Sequence, residues 1–140
     1  MNPIASALVA YAHFLAIFAT LALLVAEVAV YARDMPEGRQ QLLSRLDLGY
    51  LGGALALIAT GMLRLTTSPN GAAFYAHNPV FWTKMGLFVL VALLSIPPTM
   101  HYLGRYRASY RIIRAYQTAQ IAVFFAIPLC ATLMARGVGL

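Results

Sequence analysis

The chain has 140 residues, of which 61% are apolar and only 10% charged, against about 25% charged in an ordinary soluble domain. So few charges cannot cover a soluble surface of this size, which excludes a water-soluble globule and leaves lipid to meet the apolar surface. The formal net charge is +6, but the basic residues sit at the ends of apolar runs, where they meet headgroups, and not along a polar face that would bind nucleic acid.

A helix needs about 20 mostly apolar residues to cross roughly 30 Å of hydrocarbon, and four segments qualify. The first runs from Ile4 to about Tyr31, with Asn2-Pro3 as its start. It is too long for a signal-peptide core, and no Lys or Arg precedes Arg33, so it is expected to be a retained span. The second covers about Leu46 to Leu65 and ends at the breaker Ser68-Pro69-Asn70-Gly71. It carries Gly49 and Gly53, a small-xxx-small pair that serves either packing within the monomer or a homodimer interface. The third covers about Pro79 to Leu103, with Asn78 as a cap before a proline at the first helical position. Pro97-Pro98 is expected to bend or break it, and Pro128 to kink the fourth span, about Arg111 to Ala135. Cys130, the single cysteine, reads as a small buried apolar residue.

No segment alternates as a membrane β-strand does, and in lipid the backbone must pair internally. The predicted fold is therefore all-α: a transmembrane four-helix antiparallel bundle, one domain over residues 1–140. Arg33, Arg39, Arg45, Arg105, Arg107, Arg111 and Arg114 fall on the side of the first and third loops, and only Arg64, Lys84 and Arg136 on the other. The positive-inside rule then places both termini and the second loop outside, in the periplasm of a bacterial inner membrane.

Ionisable residues within spans cost at least about 2.5–3.5 kcal/mol on insertion scales, so they usually face the bundle interior and have a partner. His13, Thr20 and Glu27 share one helix face with Ile17, Leu24 and Tyr31. At about 1.5 Å per residue His13 lies roughly 15 Å, and Lys84 roughly 7 Å, below the outer surface. An outer cluster gathers His13, Arg64, His77, Trp82 and Lys84; an inner one gathers Glu27, Asp47, Tyr50, His101, Tyr102, Tyr116 and Gln120. Each has a plain reading beside a functional one. His13 either hydrogen-bonds across helices or acts as a ligand or proton carrier. Lys84 and Arg64 either anchor at the interface or hold a ligand, and His77 is a loop residue in water. Glu27 pairs with an arginine or serves transport, and the tyrosines and His101 form an interfacial belt.

No Cys-x-x-Cys-His, phosphate loop, nucleophile elbow or zinc spacing is present. The nearest chemistry is b-type haem, with His13 as axial ligand and Arg64 or Lys84 suited to propionates. His77 is the sixth-ligand candidate on the same side, and His101 lies on the opposite one. A small transporter or metal permease using His13, Lys84 and Glu27 is the second expectation. A subunit or assembly factor of a membrane complex is the third.

Ala7-Leu8-Val9-Ala10-Tyr11-Ala12-His13-Phe14, Ala59-Thr60-Gly61-Met62-Leu63-Arg64 and His77-Asn78-Pro79-Val80-Phe81-Trp82-Thr83-Lys84 resemble an uncharacterised family of bacterial four-span membrane proteins, over essentially the whole chain. More distantly the chain is similar to the HemJ-type protoporphyrinogen oxidases and, loosely, to the copper-resistance D-type membrane proteins. His13 and Trp82-x-Lys84 stand where the HemJ type has its early histidine and its tryptophan and lysine. That resemblance implies haem b, a porphyrin or quinone-like small molecule as partner, and membrane oxidoreductase activity; Lys84 and Arg64 are then expected near the propionates or the substrate as catalytic residues. The HemJ type has an arginine late in span one, where this chain has Glu27, and its later histidine has only His101 as a rough counterpart.

Overall fold

A computed structural model describes residues 2–139. Four long helices account for most of the chain: α1 (Pro3–Val30), α2 (Glu37–Thr67), α4 (Pro79–Tyr102) and α5 (Tyr110–Ala135), with a single-turn-and-a-half α3 (Gly71–Ala76) between α2 and α4. All four long helices are long and apolar enough to span a membrane. Three of the four starts follow from capping residues, and α2 begins after Pro36 with no side-chain cap. Asn2 accepts from the Ile4 amide, Asn78 from the Val80 amide, and Ser109 from the Ile112 amide, each satisfying a donor that the first turn leaves open.

α1 packs along α2, and α4 along α5; these two hairpins then meet more loosely, α1 against α5 and α2 against α4. One end of the bundle holds both chain termini and α3, and is called the termini end below. The other holds the α1–α2 and α4–α5 connections with their arginines. Asn78 ties the termini end together: its side-chain amide donates to the Val138 carbonyl at 3.2 Å.

Two clusters form the core. Leu24, Tyr50, Leu57, Val91 and Phe124 fill the middle of the bundle. Tyr31, Leu43, Tyr102 and Ile113 close the arginine end. Outside them Leu8, Phe18, Leu48, Leu55, Leu93 and Phe125 are exposed, the lipid-facing surface expected of a bundle whose solvent is hydrocarbon.

In three places the structure extends or narrows the expectations. The second helix begins at Glu37, nine residues before the apolar run, because Leu43 is fully buried against Tyr31, Tyr102 and Ile113. Its 31 residues extend about 46 Å, so its first turns lie beyond the hydrocarbon. The stretch after Ser68 is not a plain loop: it forms α3, with Gly71 at φ 72° making the entry. Pro97-Pro98 does not break α4, which is helical through to Tyr102 with Pro98 buried. Two prolines remove only two backbone donors, whereas opening the helix in lipid would strand several groups. α4 therefore offers no broken helix of the kind that transport sites use.

Candidate functional site

The inward stripe of α1 holds its polar residues where water does not reach: His13 is 8% exposed, Thr20 1% and Glu27 2%. Thr20 is structural. Its hydroxyl donates to the Ala16 carbonyl at 2.7 Å, and its side chain rests on Gly53, where a Cβ would collide with it. The small-xxx-small pair thus packs α2 onto α1 within the monomer, Gly49 meeting Leu23 and Gly53 meeting Thr20.

At the termini end, His13 Nδ1 lies 2.8 Å from Thr60 Oγ1. The Thr60 hydroxyl also sits 2.7 Å from the Ala56 carbonyl oxygen. Its proton must go to that carbonyl, since otherwise two lone pairs would face each other. Thr60 is then an acceptor toward the imidazole, His13 Nδ1 is the donor, and the neutral ring keeps its lone pair on Nε2. Thr60 was missed in the sequence, although it lies four residues before Arg64 on one face of α2.

Lys84 and Arg64 are half-buried and within electrostatic reach of His13; Lys84 is also within reach of Arg64 and Cys130. Arg64 stacks over Phe14, 5.9 Å from the ring centre, and borders a cavity of about 70 Å³ with Ser6, Ala10, Thr67, Ser68 and Pro69. The four acidic side chains of the protein are Glu27, Asp34, Glu37 and Asp47, all toward the arginine end. Lys84 and Arg64 therefore have no side-chain carboxylate in their half of the bundle.

The other expected members of that cluster stand apart. His77 is exposed and its Nδ1 donates to the Ala73 carbonyl at 2.7 Å. Trp82 is 59% exposed and donates from Nε1 to the Ala76 carbonyl. His101 lies at the arginine end, edge-on to Tyr31 with Nε2 3.4 Å from its phenol oxygen. The three histidines do not converge.

At the arginine end a second polar layer draws on all four long helices. Asp47 accepts from Thr99 Oγ1 at 2.9 Å, and Gln117 Nε2 donates to the Tyr102 phenol at 2.7 Å. Gln120 is 2% exposed and lies beside Tyr50. Tyr102, expected in an interfacial belt, is instead 3% exposed, because Gln117 gives its hydroxyl a partner inside. Tyr116 is only half-buried. Gln117 was missed, although it sits one turn before Gln120. Glu27 takes no arginine: its Oε1 has no partner among the described residues, and Arg114 spends its donors on the Val28 and Tyr31 carbonyls and the Tyr110 phenol.

A bundle of four apolar helices, closed on a lipid-facing exterior and holding its polar groups inside, is an integral, multi-pass membrane protein. The chain belongs to the family described as "Predicted membrane protein (DUF2214)", whose model matches residues 5–139. No match was found among curated proteins or among solved structures.

Proposed function

We propose that this membrane protein binds b-type haem at the termini end, with a redox or haem-metabolism role. The observation that carries the reading is His13: buried, anchored through Nδ1 to Thr60, with the Nε2 lone pair left for a metal. Anchoring one ring nitrogen while the other ligates is the usual arrangement for a metal-binding histidine. Lys84 and Arg64 supply positive charge beside it, suited to two propionates that no acidic side chain of this half would repel. Among the described residues no three His, Cys, Asp or Glu side chains converge. A porphyrin brings four nitrogens of its own, so one histidine suffices, whereas a bare transition metal would need more donors.

Leu24, Tyr50, Leu57, Val91 and Phe124 fill the bundle centre, so the group belongs toward the termini end. His77 and His101 are directed elsewhere, which makes His13 the one protein ligand of this reading. Haem, when bound, supplies one-electron chemistry; the protein fixes the ligand tautomer and holds the anionic edge. The reading includes the resemblance of His13 and Trp82-x-Lys84 to the HemJ type, and both termini outside a bacterial inner membrane. The purified protein should show a Soret band that His13→Ala abolishes. A colourless protein, even with haem supplied during expression, would sink the proposal.

A further inference from the structure

Glu27, Gln117 and Gln120 each hold a buried side-chain oxygen with no partner among the described residues. They are 2%, 0% and 2% exposed, and burying even one unpaired acceptor costs about 1–3 kcal/mol. The three belong to one layer. Gln117 and Gln120 are one turn apart on the buried face of α5. Gln120 lies beside Tyr50, and Tyr50 and Tyr102 are both within electrostatic reach of Glu27 and Asp47. The Gln117 amide nitrogen is already turned to Tyr102, so its oxygen faces the remaining side.

Every orphan is an acceptor, and the layer contains two carboxylates. The cation beside it, Arg114, is committed to the end of α1. A proton on Glu27 and the phenol protons of Tyr50 and Tyr102 are the donors within the layer, and each can serve only one oxygen at a time. A small hard cation satisfies all three together, since such ions take several oxygen ligands at once. With Asp47 engaged by Thr99, Glu27 is the one free carboxylate of the set, which suits a monovalent ion better than a divalent one.

We propose that Glu27, Gln117 and Gln120 form a binding site for an alkali-metal cation, probed here as sodium. The ion neutralises Glu27 and fastens α1 to α5, helices that otherwise pack less closely than the two hairpins. The site is at the opposite end from His13 and does not depend on haem.

The test uses the full chain in lipid nanodiscs, melted in sodium chloride and in choline chloride of equal ionic strength. Sodium should raise the melting temperature saturably by a few degrees, and radiolabelled sodium should be retained. Glu27→Gln should abolish both effects, and Gln120→Leu should weaken them; if the first variant does not fold, the second carries the test. His13→Ala should leave the sodium response intact. Identical melting in the two salts without retained sodium overturns the proposal, as does a sodium response that survives both variants. A melt that answers to pH alone also overturns it, and assigns the layer to a protonated Glu27.

Discussion

Arg114 on α5 donates to the carbonyl oxygen of Val28 on α1 at 2.6 Å. The same guanidinium reaches the Tyr31 carbonyl at 2.9 Å and lies 5.7 and 5.2 Å from the centres of the Tyr31 and Tyr110 rings, which stack on each other. The last carbonyls of a helix have no intrahelical donor, and a cation there also answers the negative end of the helix dipole. One side chain thus closes α1 and pins it to α5.

Arg114→Ala should therefore destabilise the fold by about 3 kcal/mol, since charge-assisted bonds of this kind contribute about 1.5–3 kcal/mol each. Arg114→Lys should recover little, because a single ammonium cannot serve two carbonyls and a phenol in the geometry of a planar fork. Thermal unfolding in detergent reads both, and a wild-type melting temperature for Arg114→Ala would reduce the residue to a topological charge.

Gly53 and Gly52 are neighbours with opposite tolerance. A Cβ at Gly53 would collide with the Thr20 side chain and stand 3.3 Å from its Cα, while at Gly52 nothing lies within 4 Å. Gly53→Ala is expected to cost about 1–3 kcal/mol, the range for overpacking a fitted contact, and Gly52→Ala to leave stability unchanged. Thr20→Ala in the Gly53→Ala background should restore part of the loss, because the nearest colliding atom is removed. Equal tolerance at both glycines would mean that α1 and α2 are not packed as described.

Thr60 should behave as a positioning residue for His13. Thr60→Val removes the acceptor of the imidazole Nδ1–H and is expected to weaken haem retention about 10–100-fold, the usual effect of losing such a partner. Thr60→Ser should restore retention. His77→Ala and His101→Ala should leave the Soret band unmoved, since neither ring approaches His13. A titration of the apoprotein with haem separates these cases.

Orientation has its own test. With Arg33, Arg39, Arg45, Arg105, Arg107 and Arg111 at one end, both termini are expected outside. A C-terminal alkaline phosphatase fusion should be active and a C-terminal fluorescent protein dark. The reverse pattern would invert the bundle.

Much of this was legible in the chain before any coordinates. The long apolar runs and the Asn2 and Asn78 caps predict the helix starts to within a residue or two, because local hydrophobicity and terminal hydrogen bonding decide them. The His13, Thr20, Glu27 stripe is also legible, since a helix of fixed pitch puts those positions on one face. The first turns of α2 were not, because their reason for being helical is Leu43, buried by residues of three other elements.

By itself the sequence determined that the protein crosses the membrane four times as helices and that α1 turns its polar stripe inward. These follow from composition and periodicity, which need no knowledge of neighbours. Only the tertiary structure decided who meets whom across helices: His13 with Thr60, Arg114 with the end of α1, and Gln117 with Tyr102. Such pairings depend on the rotation and register of each helix against the next. Those are set by close contacts such as Gly53 on Thr20, a few ångströms of packing that no single segment encodes.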